Sequence, residues 1–286
     1  MSPDTSSQAV PQQERLAVLE QVARWPVPSA AVAVVGPRGV LGSVGPADRD
    51  YRWASVTKLL TALVALDTVA RGLLDLDEPA GPPGSTVRHL LAHASGLDLD
   101  GRLVLSKPGR RRVYSNRGIE LVADEVAART GRPFAQLLDD EVLRPLGLER
   151  TRLEGSPASG AVGPLGDLAV LAQELLAPSV LDADLLAAAT QTAFPGLPGV
   201  VPGFGRQEHC DWGLGFEVRG DKSPHWTGSR NSPRTFGHFG RAGSFLWVDP
   251  DAVLACVGLA DLDFDVWAQQ AWPRLSDDVL AAYAGG

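Results

Sequence analysis

Hydrophobic positions along this 286-residue chain follow two spacings, one typical of strands and the other typical of helices. Near the N-terminus the apolar runs SAAVAVVG and GVLGSVG flank a Pro-Arg-Gly turn, which predicts a β-hairpin. The stretch RDYRWA predicts a third short strand that leads into an apolar helix beginning near Ser55. Later strands are predicted at DWGLGFEVRG, RTFGHFG, SFLWVDP and AVLACVGLAD.

Between residue 85 and about residue 193 the apolar spacing is helical. We predict helices at STVRHLLAHASGL, which stops at Gly96, and at SNRGIELVADEVAARTG, which ends at Gly131. A further helix at PFAQLLDDEVLRPLGL breaks before Pro145. The remaining predicted helices are GPLGDLAVLAQELLAP, DADLLAAATQTA, an N-terminal helix at about 12–24 and a final helix at about 264–284.

The order of strands, helices, strands and a last helix predicts an α+β fold, in which helices flank an antiparallel sheet. We expect a discontinuous sheet domain formed by residues 1–84 and 198–286, and an inserted all-helical domain formed by residues 85–197. The Pro- and Gly-rich stretch FPGLPGVVPGFGRQEHC predicts a linker between them. An active cleft is expected where the two domains face each other.

Charge and composition exclude several classes of function. The net charge of −8 argues against a general nucleic-acid binder or a binder of anionic membranes. No apolar run approaches the roughly 18 residues of a membrane span, and the polar N-terminus does not resemble a secretory signal. We therefore expect a cytoplasmic protein. Cys210 and Cys256 lack metal-type spacing, so we expect two reduced, mostly buried thiols.

One lysine stands out in the first apolar helix. Only three of the 26 basic residues are lysines, and Lys58 lies three positions after Ser55, on the same helix face. A neutral lysine amine can activate a serine hydroxyl as a nucleophile, and burial lowers a lysine pKa toward the required range. The alternative is that Ser55 caps the helix while Lys58 reaches water along its apolar stem.

Two later segments extend this pattern. VYSN places Tyr114 and Asn116 at the start of a helix, and FGHFGRAG places His238 and Gly240 on a strand. Together with Ser-x-x-Lys, these elements resemble the three-part signature of penicillin-binding serine enzymes. The stretches TVRHLLAHASGL, VLRPLGLERTRL and WGLGFEV match as well. The chain therefore resembles the serine β-lactamase-like family, which includes class C β-lactamases, D-alanyl-D-alanine carboxypeptidases, D-aminopeptidases and related carboxylesterases.

The resemblance implies catalytic roles for three residues. Ser55 would be the acylated nucleophile, and Lys58 would share proton handling with Tyr114. Groups this close titrate together, so the sequence does not decide which of the two is the base. In isolation, Tyr114 equally fits a buried aromatic residue with a bonded hydroxyl.

The resemblance also implies four residues that bind substrate. Asn116 would hydrogen-bond the substrate and help to fix the catalytic lysine. His238 would donate a hydrogen bond or carry charge near neutral pH. Gly240 would leave room for substrate beside the strand, and the backbone N–H groups of Arg241 and Ser55 would form an oxyanion hole.

Two departures from the family pattern affect the expected substrate. Phe239 occupies the middle position of the third element, where relatives often have a hydroxyl residue or glycine, and a phenyl group cannot hydrogen-bond a substrate carboxylate. Only DLDGRLVLSKPGRRR separates ASGL from the tyrosine, which predicts a more open cleft. His89 and His93 have helical spacing that suits zinc, but no third ligand is evident. We therefore predict no metal and no cofactor.

These observations favour a serine hydrolase that forms an acyl-enzyme on a small ester or amide, with a preference for the carboxylesterase reaction. The first alternative is a β-lactamase, a D-alanyl-D-alanine carboxypeptidase or a D-aminopeptidase. The second is a non-catalytic ligand-binding or sensor module on the same fold. The sequence leaves the oligomeric state open.

Overall fold

The structure is a computed structural model that describes residues 12–284. Its α-helices are α1 (Gln12–Leu19), α2 (Thr57–Ala70), α3 (Val87–Leu91), α4 (Asn116–Thr130), α5 (Phe134–Leu138), α6 (Arg144–Leu146), α7 (Leu165–Leu176), α8 (Ala183–Ala189) and α9 (Val266–Tyr283). Its strands are β1 (Ala30–Gly36), β2 (Gly39–Val44), β3 (Tyr51–Arg52), β4 (Arg152–Leu153), β5 (Ala161–Gly163), β6 (Gly199–Val201), β7 (Gly205–Gln207), β8 (Glu217–Val218), β9 (Phe236–Gly240), β10 (Ser244–Asp249) and β11 (Leu254–Ala260).

The core is an antiparallel sheet with the strand order β2-β1-β11-β10-β9-β8. Successive side chains of β1 alternate between its two faces. Val32 and Val34 pack in a cluster with α9, whereas Ala33 and Val35 pack in a second cluster with α2 and α7. Because both faces are covered, the central strands β1 and β11 are almost entirely apolar and buried, instead of alternating with polar residues.

Most long elements lie where the hydrophobic spacing predicts them. The β1–β2 hairpin, the short strand β3 and the strands β9 to β11 are present, as are helices α4, α7, α8 and α9. The side chain of Ser115 caps α4 by accepting a hydrogen bond from the N–H of Gly118, and Gly131 ends this helix in a left-handed conformation. The α+β fold with an antiparallel sheet is therefore confirmed.

Three local predictions were wrong. The segment expected to be all-helical contains the strands β4 and β5, which pair with β3, and the expected linker contains the β6–β7 hairpin. Strands of two or three residues are too short to produce a periodic pattern. The helix expected to break before Pro145 continues through α6, because a π-helical turn at Asp139–Leu143 places the proline in the first turn of that helix.

The helices between β3 and β6 do not all separate from the sheet. Helix α7 packs on β1 and β11, while α3, α4 and α5 pack against one another or on α2. The division into a sheet domain and a helical domain stays a prediction. None of the helices described between residues 12 and 284 is long and apolar enough to cross a lipid bilayer.

Candidate active site

The candidate nucleophile lies in a tight turn between β3 and α2. Ser55 is the middle residue of the 3₁₀ turn Ala54–Val56, and Ala54 has a φ of +44°, which is rare for a residue with a side chain. Ser244 holds the start of the turn by donating a hydrogen bond of 2.7 Å from Oγ to the carbonyl of Trp53. A residue in this region of conformational space persists only where its surroundings fix it.

Lys58 is fully buried one turn later and points at the serine. Its Nζ lies 3.1 Å from Ser55 Oγ, 2.7 Å from Asn116 Oδ1 and 2.7 Å from the carbonyl oxygen of Ala158. Three acceptors therefore surround an amine that has three tetrahedral positions for hydrogens or a lone pair. The sequence alternative, in which the lysine reaches water, is wrong.

Burial sets the protonation of this amine. Desolvation lowers the pKa of Lys58 from 10.5 to about 7, and the negative charges of Asp100 and Glu120 oppose part of this decrease. A substantial fraction of the side chain is therefore neutral near pH 7. A neutral amine has a lone pair that can accept a proton, whereas the arginines that dominate this sequence do not lose theirs.

Tyr114 precedes Ser115, the N-cap of α4, and its ring faces the Lys58 amine. The Nζ of Lys58 lies 5.0 Å from the centre of the Tyr114 ring. Burial raises the pKa of Tyr114 well above its ordinary value, and a hydrogen bond with Ser55 opposes part of this rise. The phenol therefore retains its proton near neutral pH.

His238 of strand β9 lies next to the Tyr114 hydroxyl on the other side of the site. Its Nδ1 lies 2.6 Å from the carbonyl oxygen of Phe239, which can only accept, so Nδ1 carries the hydrogen. Burial, reinforced by the nearby charge of Lys58, lowers the pKa of His238 to about 3. The ring is therefore neutral near pH 7, and its Nε2, 3.4 Å from the Tyr114 hydroxyl, is an acceptor. In this tautomer Nε2 has no hydrogen to donate, and the role of His238 in binding substrate stays a prediction.

The two remaining predicted residues, Gly240 and Arg241, lie next to the catalytic side chains but make different contacts. A Cβ on Gly240 would stand 2.4 Å from the carbonyl oxygen of Trp53, so glycine is required for packing against the turn that carries Ser55. The sequence attributed this glycine to room for substrate instead. Arg241 lines the pocket, but its side chain is 87% exposed and pairs with Asp263 at 3.6 Å. The oxyanion role of its N–H group stays a prediction.

An acidic residue that the sequence analysis missed fixes Asn116. The Nδ2 of Asn116 donates a hydrogen bond of 2.7 Å to Asp100 Oδ1, while the amide oxygen accepts from Lys58. These contacts determine which way the amide points, because only its oxygen can accept from an amine. Asp100 lies in the short loop before the tyrosine, and no sequence spacing distinguished it from other surface carboxylates.

His93 positions Tyr114 through hydrogen bonds to the residues on either side of it. Its carbonyl oxygen accepts from the N–H of Val113 at 2.9 Å, and its Nδ1 accepts from the N–H of Ser115 at 3.2 Å. Both residues adjoin Tyr114, and the two rings lie 4.6 Å apart. His89 has different surroundings, because its ring stacks on Phe194 at 4.3 Å. The two histidines therefore do not share one site.

A pocket of about 400 Å³ opens above these groups, within the size range of small-molecule sites. Phe239 contributes to its wall, and its ring packs 4.9 Å from that of Phe264. Ser55, Tyr114, Asn116 and His238 line its polar side. The apolar wall consists of Leu99, Val200, Val201, Trp212, Phe239 and Phe264.

A buried ionic cluster adjoins the pocket. The Oε1 atom of Glu217 lies 3.3 Å from Lys222 Nζ and 3.1 Å from His225 Nε2, and Oε2 accepts from Trp226 Nε1 at 2.8 Å. Burial alone would raise the pKa of Glu217. The Lys222 charge and the hydrogen bonds from His225 and Trp226 outweigh it and hold that pKa far below its ordinary value. Cys210, which lines the pocket, and Cys256 of β11 are buried free thiols, as predicted.

Known proteins share both the fold and much of the sequence. A crystal structure of a beta-lactamase from Mycobacterium bovis aligns with a TM-score of 0.92 and 52% identity, over 93% of this chain and 99% of that chain. The antiparallel sheet and this similarity define the class as the β-lactamase-like serine hydrolases. The chain belongs to the Beta-lactamase family, whose sequence profile matches residues 17–280.

Curated relatives with described activities are more distant. The D-alanyl-D-alanine-carboxypeptidase/endopeptidase AmpH of Escherichia coli is 27% identical over 147 residues, which cover 38% of each chain. Esterase EstB of Burkholderia gladioli is 30% identical over 192 residues, 46% of this chain and 49% of the relative. The alignments thus span less than half the length of either relative.

Proposed function

We propose that this protein is a serine hydrolase that forms an acyl-enzyme on a small ester, with Ser55 as nucleophile and Lys58 as base. One observation carries the proposal. Lys58 Nζ lies 3.1 Å from Ser55 Oγ at the wall of a pocket, and the pKa of that amine is about 7. General bases work best when their pKa is near the working pH.

The hydrogen bonds of Lys58 suit a neutral amine. Its two hydrogens can be donated to Asn116 Oδ1 and to the carbonyl of Ala158, both at 2.7 Å. The lone pair then remains directed at Ser55 Oγ, whose hydroxyl becomes the donor in that contact. Tyr114 is a poorer base because its raised pKa keeps the phenol protonated.

The reaction proceeds in two steps, acylation of Ser55 and hydrolysis of the acyl-enzyme. Ser55 Oγ attacks the carbonyl carbon of the ester while its proton passes to the Lys58 amine. The bond to the leaving oxygen breaks, the proton is returned to that oxygen, and the alcohol departs. Water then attacks the acyl-enzyme, giving the carboxylic acid and restoring the serine hydroxyl. The backbone N–H groups of Ser55 and Arg241 would bind the oxyanion of each tetrahedral intermediate.

The charges around the pocket support an ester over a substrate that carries a carboxylate. His238 is neutral near pH 7, and the side chain of Arg241 is exposed and paired with Asp263. The carboxylates of Asp100 and Glu217 also line the pocket. Arg112 is a buried cation that also lines the pocket, and its N–H groups already donate to backbone carbonyls. A β-lactam or a D-alanyl-D-alanine peptide brings its own negative charge, which the neutral imidazole and the two carboxylates would not stabilise.

A second candidate activity is β-lactamase or D-peptidase turnover. It is favoured by the 52% identity to a beta-lactamase and by the similarity to a D-alanyl-D-alanine carboxypeptidase. The third candidate is a non-catalytic ligand-binding or sensor module, and acylation of Ser55 without release of the acyl group would favour a sensor.

Intact-protein mass spectrometry separates these functions. We expect p-nitrophenyl acetate to give a transient acetyl adduct and continuous turnover in the wild type, and neither Ser55-linked adduct nor turnover in Ser55→Ala. Nitrocefin and a D-Ala-D-Ala peptide, tested in parallel, would reveal the second candidate by faster turnover than the ester. A persistent adduct without turnover would indicate a sensor, and equal labelling of both proteins would contradict the role of Ser55.

The effect of Asp100 on the base gives a separate prediction. Because the Asp100 carboxylate raises the pKa of Lys58, Asp100→Asn should lower that pKa and keep the amine neutral to lower pH. The acidic limb of the kcat/KM profile should shift to lower pH, with about two- to threefold higher relative activity at pH 6, the size expected for an exposed charge pair.

Salt provides the control for this prediction. Asp100 is exposed, so high salt should reduce the difference between the wild type and Asp100→Asn. Asp184→Asn changes an exposed carboxylate on α8 and should leave the profile unmoved. A shift of the Asp100→Asn limb to higher pH would contradict the assignment of that limb to Lys58.

A further inference from the structure

Exposed apolar side chains concentrate around the mouth of the catalytic pocket. Two hairpins border this mouth, since residues 99–100 and 200–203 line the pocket together with Phe264. Both hairpins also present large aliphatic side chains to solvent. We name these residues the apolar rim: Leu99, Leu103, Val104, Leu105 and Val200.

The rim is unusually exposed for aliphatic side chains. Leu103 is 68% exposed, Val200 61% and Val104 52%. Two backbone hydrogen bonds hold the hairpin formed by residues 96–105. The N–H of Asp98 donates to the carbonyl of Leu103 at 2.9 Å, and the N–H of Leu105 donates to the carbonyl of Gly96 at 2.8 Å. Single exposed aliphatics need no explanation, but a group at the entrance of a pocket marks a binding surface.

The rim continues the apolar wall of the pocket. Leu99 and Val200 belong to both, so an aliphatic chain attached to the reacting carbonyl keeps apolar contact as it leaves the pocket. The loop that carries Leu103 also bears the exposed cations Arg102 and Lys107, while Asp100 adds a negative charge at the pocket wall. A neutral aliphatic chain needs none of these charges and fits the apolar surface that Leu99 and Val200 present.

We infer that the acyl group of the substrate is a medium-chain aliphatic one, whose methylene groups run from the pocket across Leu99 and Val200 onto the apolar rim. This inference rests on the proposed hydrolysis at Ser55 and names its substrate class. Each methylene removed from water adds binding free energy, and it adds to kcat/KM when the contact persists in the transition state.

A chain-length series of p-nitrophenyl esters tests the inference. With acetate, butyrate, hexanoate and octanoate below their micelle concentrations, kcat/KM should rise by about tenfold or more from acetate to octanoate in the wild type. The Leu103→Ser/Leu105→Ser variant should reduce the octanoate-to-acetate ratio to about threefold or less. These two side chains are half or more exposed, so the fold does not depend on them.

The control variant replaces exposed aliphatic side chains that lie away from the pocket. Val40→Ser/Val180→Ser removes two equally exposed aliphatics away from the pocket, both 53% exposed, and should keep the wild-type ratio. A flat series, or a ratio unchanged in the rim variant, would overturn the inference. A preference that emerges only above the micelle concentration would assign the rim to a lipid surface and also overturn it.

Failure of the proposed function would remain distinguishable from failure of this inference. If acetate is hydrolysed through Ser55 but the series is flat, only the acyl-chain assignment fails. If no ester is hydrolysed, binding of N-methyloctanamide and N-methylacetamide can be compared through the intrinsic tryptophan fluorescence of wild type and Trp212→Phe, since Trp212 lines the pocket. Tighter binding of the octanamide would then support the rim as an acyl site, and equal binding would overturn it.

Discussion

Lys58→Met is expected to lower kcat/KM for ester hydrolysis by about 10²–10⁴-fold, the usual contribution of a positioned general base. Methionine fills nearly the same volume in the buried helix α2 but has no lone pair basic enough to take the Ser55 proton. Lys58→Arg should be about equally inactive, since a guanidinium retains its proton at any working pH. Initial rates on p-nitrophenyl acetate measure both.

Controls separate lost chemistry from lost structure. Lys107→Met changes an exposed lysine and should retain wild-type kcat/KM. Circular dichroism should show Lys58→Met folded. In the wild type, kcat/KM should fall below pH 7, because the amine with a pKa of about 7 becomes protonated there and can no longer act as a base. Retention of more than a tenth of the activity by Lys58→Met would rule out this base.

Glu217→Ala is expected to destabilise the fold by about 3–5 kcal/mol, the usual effect of breaking a buried ion pair by removing one partner. The substitution leaves the buried Lys222 ammonium without its carboxylate and leaves Trp226 Nε1 without an acceptor. Chemical unfolding followed by tryptophan fluorescence measures the change. The exposed control Glu208→Ala should alter the free energy of unfolding by less than about 0.5 kcal/mol.

The pH dependence of stability supplies a second readout for this cluster. Glu217 has a lowered pKa in the folded state, so its contribution is fully present above the ordinary glutamate pKa of 4.5. The contribution is lost as pH falls below that value toward the folded-state pKa. The difference in stability between wild type and Glu217→Ala should therefore shrink with acid. A loss of less than about 1 kcal/mol near neutral pH would contradict the structural role.

Long, continuous patterns made most of the fold predictable. The runs that form β1 and β11 are wholly apolar because both faces of the sheet are covered, and α4 carries both a serine cap and a terminal glycine. By contrast, β4 and β5 span two and three residues and depend on pairing with β3, which is distant in sequence. Tertiary contacts, rather than local propensity, determine such strands.

The residues of the candidate site could be predicted from the sequence, whereas their protonation states could not. The motifs located Ser55, Lys58 and Tyr114, which the fold brings together from segments far apart in the chain. The neutral state of His238 follows from burial and from a carbonyl acceptor that only the three-dimensional structure reveals. Asp100 escaped notice because it lies in a loop and its contact with the Asn116 amide appears only in the three-dimensional structure.

The scarcity of lysine has a practical consequence for conjugation chemistry. Lys58 and Lys222 are enclosed by the fold, which leaves Lys107 as the one exposed lysine side chain among residues 12–284. An amine-reactive dye or resin would therefore attach to that region of the protein at Lys107. This residue follows Leu105 by two positions, so immobilisation there would tether the protein beside the apolar rim.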